Sequence, residues 1–94
     1  MKLMIVQDVM LIKGKGLILT GRLLLSNVVS KSDVEGAFGS VVMVVDGGGN
    51  RLEVPVKAIS VTQSMAGSMQ VSLGIDELPG GTTILIDSLV SNNH

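Results

Sequence analysis

Cysteine is absent from the 94-residue chain, and histidine occurs once, as the C-terminal residue His94. Without cysteine there is neither a disulfide framework nor a thiolate ligand for zinc, and the redox compartment stays open. The remaining metal ligands would be carboxylates, and the neighbours Asp76 and Glu77 do not follow the spacing of a calcium loop. We therefore expect no metal and no cofactor, and interpret these two acids as turn or capping residues.

Aromatic residues are nearly absent as well, because Phe38 is the one aromatic side chain in the sequence. Proteins bind single-stranded nucleic acid by stacking bases on aromatic side chains, and a formal net charge of −1 offers no basic surface for phosphates. Nucleic-acid binding is therefore not expected from composition. A core with one aromatic must be filled by valine, leucine, isoleucine and the six methionines, which suits a small β-barrel.

Apolar runs are too short for a membrane helix, which needs roughly 18–20 residues. The run over residues 1–6 resembles the start of a signal peptide, but Gln7 and Asp8 interrupt it too early. We therefore predict a cytoplasmic protein without membrane contact. At 46% hydrophobic and 16% charged residues, the chain carries more apolar side chains than a small core holds, and this excess predicts exposed interface patches.

Glycine-rich turns at residues 13–16 and 46–50 divide the chain into short β-favouring segments. Gly21 predicts a bend or bulge, and Pro55 predicts an edge strand because proline lacks an N–H donor. Further turns or connectors are predicted at residues 32–36, 64–68 and 76–81. The predicted strands cover residues 3–12, 17–26, 39–46, 51–62, 69–73 and 82–87, with a possible short one at 28–29.

These segments predict an all-β fold with no helix of any length. The short, regular spacing favours a small closed or partly open antiparallel β-barrel of six to seven strands. We expect a single domain over residues 1–88, followed by a C-terminal tail over residues 89–94.

Several sequence pieces resemble the second domain of translational GTPases, the β-barrel of elongation factor Tu and its relatives. The opening pieces are Asp-Val at 8–9, Ile-Lys-Gly-Lys-Gly at 12–16 and Leu-Thr-Gly-Arg-Leu at 19–23. Later similar pieces are Ala-Gly at 66–67, Gly-Ile-Asp at 74–76 and Leu-Pro-Gly-Gly-Thr at 78–82. The resemblance spans about residues 5–87, and its most specific part is the first third. It implies the family's barrel fold.

The sequence departs from the family at three places. Met10 replaces the aromatic residue of the opening motif, and residues 28–39 differ from the family's short approach to its third strand. In the elongation factor, the segment corresponding to residues 59–65 helps to hold the aminoacylated end of transfer RNA. This chain lacks the acidic and basic residues of that segment. The resemblance therefore implies a retained barrel and a lost transfer-RNA site.

Catalytic groups are not evident in the sequence. No phosphate-binding Gly-x-x-x-x-Gly-Lys-Ser/Thr loop is present, since the Lys-Gly-Lys-Gly turn at 13–16 is too short and lies between strands. Serines are plentiful, but they lack a recognisable base, and the acids are scattered over loops and strand edges. We therefore predict that the protein is not an enzyme.

The candidates for partner binding include two lysines and two methionines. Lys13 and Lys15 are hairpin-turn residues whose point charges can meet a partner, although solvated turn lysines are the simpler interpretation. Met65 and Met69 offer an adaptable apolar surface, with core filling as the simpler alternative.

The fifth candidate is Arg22, a charge on an otherwise apolar strand. Asp8 lies on the preceding strand, also among apolar residues. We therefore favour an ion pair between Asp8 and Arg22 across the hairpin over a role of either residue in binding.

Together these features predict a non-catalytic binding or adaptor module that docks on a protein or ribonucleoprotein partner. One alternative is a structural β-barrel that assembles with itself through open strand edges. Another is a binder of small molecules at the barrel mouth.

Overall fold

A computed structural model of the chain describes residues 2–25, 30–63, 69–76, 78 and 84–92. These residues form seven β-strands and one α-helix, which confirms the all-β prediction and adds a short helix. In chain order they are β1 (Lys2–Ile12), β2 (Gly16–Leu23), α1 (Lys31–Phe38), β3 (Val41–Val45), β4 (Arg51–Pro55), β5 (Ala58–Gln63), β6 (Met69–Ile75) and β7 (Leu89–Ser91). The predictions for residues 28–29, 64–68 and 79–83 lie outside the described residues.

The strands form one antiparallel sheet in the order β4-β3-β7-β1-β2-β6-β5. Its two edges, β4 and β5, are not paired with each other, so the sheet is not closed into a barrel. Pro55 ends the edge strand β4, and this confirms the prediction that proline marks an edge.

The two edges of the sheet are joined by only two residues, Val56 and Lys57. The Val56 N–H donates to the carbonyl of Ser40, next to β3, over 2.8 Å. The Lys57 N–H donates to the carbonyl of Gly74 in β6, also over 2.8 Å. Two consecutive backbone N–H groups therefore bond to residues near opposite edges of the sheet. The two edges converge where β4 passes into β5.

The β1–β2 hairpin forms where the glycine-rich turn predicts it. Gly14 adopts a φ of 79°, a left-handed conformation that side chains disfavour, and the Lys15 N–H donates to the carbonyl of Ile12 over 2.9 Å. The register of the hairpin shifts between Val6 and Asp8, and Val6 is the residue opposite Gly21. The bulge predicted at Gly21 therefore lies in the partner strand β1.

Helix α1 replaces the surface loop predicted over residues 32–36. Ser30 caps the helix by accepting a hydrogen bond from the N–H of Asp33 over 3.3 Å. Val34 and Phe38 lie four residues apart, on one helix face, and both are fully buried. Burial of this face stabilises a helix that is too short to be stable alone.

Strand β7 corrects two predictions at the C-terminal end. Residues 84–87 were predicted as part of the last strand, but they form a turn-containing segment, with the Ser88 N–H donating to the carbonyl of Leu85. Leu89–Ser91, predicted as part of a tail, instead pairs with both β1 and β3. Val90 is fully buried because β7 lies near the middle of the sheet.

The core lies along the buried side of the sheet and beneath α1. Valine, leucine, isoleucine and methionine fill it around Phe38, as the composition predicts. Its fully buried apolar members are Leu3, Met4, Val6, Leu19, Val34, Phe38, Val42, Val71, Leu73 and Val90.

Candidate partner-binding surface

Strand β1 is central in the sheet order, yet over its second half only one of its two sides pairs with a described strand. Strand β7 pairs with β1 over residues 2–5, and backbone hydrogen bonds join Val6 to Asp87 and Ser88 over 2.7 and 2.9 Å. Beyond Val6, residues 8–12 pair with β2 on one side, and no described strand pairs with their other side. We call residues 8–12 the open edge.

Two large apolar side chains on the open edge are exposed to solvent. Met10 is 54% exposed and Leu11 is 64% exposed. Because consecutive residues of a strand point to opposite faces, both faces of β1 are uncovered at this end.

Two lysines lie immediately beyond the open edge, in the turn between β1 and β2. Lys13 and Lys15 are both exposed, and neither forms an ion pair with a described residue. Together with Met10 and Leu11 they occupy the turn end of the β1–β2 hairpin, which we call the hairpin tip. It combines exposed apolar area with positive charge.

Lys15 also borders a shallow cavity of about 210 Å³ on the other side of the hairpin. Leu17 and Ile75 supply apolar walls, and Lys57 reaches the same cavity from the link between β4 and β5. The ammonium of Lys57 lies 3.4 Å from a carboxylate oxygen of Asp76. Of the two lysines that line this cavity, Lys15 is therefore the one without an ion pair to a described residue.

The other candidates lie at the opposite end of the hairpin. Arg22 is exposed on β2, between Ile5 of β1 and Gln70 of β6. It is six residues from Gly16 at the turn, a distance of roughly 20 Å along a strand. Met69, next to Gln70, is half-buried and packs on the core, which favours the core-filling interpretation. The predicted candidates therefore do not form one site, and Met65 lies outside the described residues.

The favoured ion pair between Asp8 and Arg22 is not formed. Because of the bulge, Asp8 pairs with Thr20, whereas Arg22 pairs with Ile5 three residues earlier in β1. The ion pairs of the described residues are instead Lys31–Glu35 and Lys57–Asp76, both on the surface. Arg22 consequently leaves its charge exposed on the sheet.

Clusters of metal-ligating side chains are not found in the described part of the chain, where no three histidine, cysteine, aspartate or glutamate residues converge. None of the described helical residues belongs to a helix long and apolar enough to cross a membrane. His94 lies outside the described residues.

Comparison with known proteins finds no match: neither a family model nor a curated protein nor a solved structure corresponds to this chain.

The sequence predicted exposed apolar patches but not their positions. Leu85 and Ile86, 55% and 60% exposed, lie in the segment before β7, and Met10 and Leu11 lie on the open edge. The sequence pattern places all four residues within predicted strands and does not distinguish them from buried strand residues. Their exposure depends on where β7 begins, because that start determines how much of β1 is covered.

Proposed function

We propose that the protein is a non-catalytic binding module that docks on a protein partner through the open edge and the hairpin tip. The observation that carries this proposal is the open edge itself, a row of strand residues that includes Met10 and Leu11, which are both more than half exposed. Exposed apolar area next to unpaired strand backbone favours association.

The chemistry of the surface favours strand addition by the partner. An extended segment of another protein would bond to the free side of residues 8–12, and apolar side chains of that segment would cover Met10 and Leu11. Lys13 and Lys15 would then face the end of the added strand. Acidic residues at that end are the complement we expect, because both lysines lack an ion-pair partner among the described residues.

We further propose that the module is of the barrel type found in the second domain of translational GTPases, without GTPase activity, and that it works in the cytoplasm. The sequence resemblance supports this, since its turn at 13–16 and the bulge opposite Gly21 coincide with hairpin features. The link through Val56 and Lys57 supports a partly open barrel, because it brings the two edges of the sheet together at one end. A ribonucleoprotein partner would be contacted through its protein component.

Self-assembly is the second candidate function, and the same observation favours it. An open edge can pair with the identical edge of another copy in antiparallel orientation, giving a two-fold symmetric dimer. The two candidates differ in the mass of the complex that forms at Leu11.

Site-specific photocrosslinking tests both candidates. A photoreactive residue replaces Leu11 in one variant and Thr62, exposed on β5, in a control variant. After irradiation in the cells that produce the protein, a discrete adduct at position 11, absent at position 62 and differing in mass from two copies, supports docking. An adduct of two copies supports self-assembly. Equal adduct patterns at both positions would contradict a function for the open edge.

A further inference from the structure

The pairing of β7 with β1 stops at a bulge opposite Val6. The Val6 N–H donates to the carbonyl of Ser88 over 2.9 Å, whereas the Val6 carbonyl accepts from the N–H of Asp87 over 2.7 Å. Two residues of one segment therefore oppose a single residue of β1, which is the arrangement of a β-bulge. The Ser88 N–H also donates to the carbonyl of Leu85 over 3.2 Å, so a tight turn over residues 85–88 adjoins the bulge.

Asp87 holds this turn in a disfavoured backbone conformation. Its φ is 72°, and it is the one residue other than glycine with a positive φ in the described part of the chain. Side chains disfavour this left-handed conformation because the Cβ atom approaches a carbonyl oxygen, although aspartate and asparagine tolerate it better than most. Glycine is the usual residue at this position of such a bulge. The turn is therefore less stable than a glycine at position 87 would make it.

An extended chain in place of the turn would continue β7 along the open edge. Leu89 pairs with Ile5 in antiparallel register, so each residue back along β7 meets the next residue along β1. Without the bulge, this register places Ile86 opposite Asp8, the first residue of the open edge. Residues 84–86 would then give the first half of the open edge a second strand neighbour.

The exposed side chains of the two segments are suited to this pairing. Of the five large apolar residues that are exposed in the described structure, two lie on the open edge and two in the turn: Met10, Leu11, Leu85 and Ile86. Pairing would remove apolar area of both segments from water. The opposing cost is the displacement of Ile84, which is 8% exposed next to the turn. The two arrangements therefore exchange burial of Ile84 for burial at the open edge.

We propose that residues 84–88 form a switch between the described turn and an extension of β7 in which residues 84–86 occupy the open edge. We call these arrangements the turn state and the strand state. In the strand state the segment takes the place of the partner strand, so the switch inhibits docking and lowers the apparent affinity by the fraction of molecules in the turn state. The inhibitory role rests on the proposed function, whereas the switch itself rests on the bulge and the register.

Substitutions at position 87 shift the two states in opposite directions. Asp87→Gly favours the turn, whereas Asp87→Val adds a β-branched side chain that disfavours a positive φ and favours a strand. Hydrogen exchange followed by NMR, without any partner, reports on the amides of residues 8–12. Those not bonded to β2 should exchange at least about tenfold more slowly in Asp87→Val than in Asp87→Gly. Asp87→Asn removes the charge but tolerates the left-handed conformation, so it should resemble the unaltered protein.

A disulfide trap tests the strand state without relying on the folding of the valine variant. The chain has no cysteine, so only introduced cysteines react. Asp8→Cys with Ile86→Cys places two thiols on directly opposed residues of the strand state, whose Cβ atoms are about 4.5–5.5 Å apart. Asp8→Cys with Leu85→Cys is the matched control, because residue 85 would point to the other face. Mild oxidation should remove free thiols from the first pair and not from the control, and added Asp87→Gly should slow this loss.

The outcomes separate the switch from docking. Equal oxidation of the two cysteine pairs would overturn the switch, as would equal exchange of residues 8–12 in folded glycine and valine variants. The photocrosslinking yield at position 11 is a separate measurement, and it should rise in Asp87→Gly and fall in Asp87→Val. The expected exchange and trapping results without an adduct at position 11 in any variant would support the switch and contradict docking. An adduct with unchanged exchange would support docking and overturn the switch.

Discussion

Gly21 of β2 lies directly against the carbonyl of Ile5 in β1: a Cβ atom at position 21 would overlap the Ile5 oxygen. Both partners of this contact are main chain, so neither can move aside by changing a side-chain rotamer. The contact lies next to the register shift between Val6 and Asp8. The absence of a side chain at Gly21 therefore lets the two strands stay paired around the bulge.

Substitution of this glycine should be costly. We expect Gly21→Ala to lower the free energy of unfolding by about 2 kcal/mol, because the strands must separate to admit the methyl group. Chemical denaturation followed by circular dichroism measures the change. The matched control is Gly36→Ala within α1, where a Cβ atom meets nothing within 4 Å.

Gly36→Ala should instead raise the free energy of unfolding by about 0.5–1 kcal/mol, since alanine loses less backbone entropy than glycine in a helix. Equal effects of the two substitutions would show that contact with Ile5 does not constrain position 21.

The buried Ser88 hydroxyl should oppose stability. Ser88→Ala removes a hydroxyl that has no hydrogen-bond partner among the described residues, so we expect the free energy of unfolding to rise by about 1 kcal/mol. Thr20→Val is the comparison, because the Thr20 hydroxyl shares a hydrogen bond of 3.2 Å with the Ser72 hydroxyl. That variant should lose about 1 kcal/mol. Urea unfolding of both proteins checks the opposite signs, and destabilisation by both would contradict an unsatisfied Ser88.

The link between the two sheet edges can be tested at Lys57 by separating its backbone from its side chain. Lys57→Pro removes the N–H that bonds to Gly74, so we expect a loss of about 2 kcal/mol from the unpaired carbonyl and the ring together. Lys57→Ala removes only the ion pair with Asp76, whose side chains are 61% and 63% exposed. Its expected cost is below about 0.5 kcal/mol.

Denaturant midpoints of the two Lys57 variants measure this difference. If alanine is as damaging as proline, the side chain rather than the backbone bond stabilises the link, and the convergence of β4 and β5 has another cause.

Local signals in the sequence predicted the local parts of this fold. Three features follow from the backbone of a single glycine or proline, which either permits unusual conformations or lacks an N–H donor. They are the turn around Gly14, the bulge opposite Gly21 and the edge position of Pro55. Helix α1 was missed because its residues carry weak helix signals, and burial of Val34 and Phe38, a tertiary effect, stabilises it.

Long-range pairing accounts for the other errors. The segment Leu-Val-Ser at β7 is three residues long and carries little strand signal of its own, yet it pairs with two strands that are distant in sequence. Because β7 is short, residues 8–12 of β1 have a described strand neighbour on one side only, and this creates the candidate surface. The open edge does not follow from any one segment, because it depends on where β7 meets the sheet.

Asp46 makes the β3–β4 turn sensitive to acid. The side-chain hydrogen bond from Asn50 is the main cause that lowers the pKa of Asp46 below its usual 3.8, and the backbone N–H groups of Asn50 and Gly48 act in the same direction. A pKa lowered by folding means that the turn is stabilised fully above pH 3.8. This stabilisation is lost as the pH falls through the lower pKa of the folded state.

Substitution of Asn50 should move this pKa upward. NMR titration of the Asp46 carboxyl carbon should give a value below 3.8 in the unaltered protein and a higher one, closer to 3.8, in Asn50→Ala. The shift should be partial, because alanine keeps the backbone N–H that donates to Asp46 over 3.0 Å. Gln70→Ala on β6 is the control and should leave the titration unchanged. An Asp46 pKa that does not respond to Asn50→Ala would show that the backbone donors alone hold the carboxylate in its charged form.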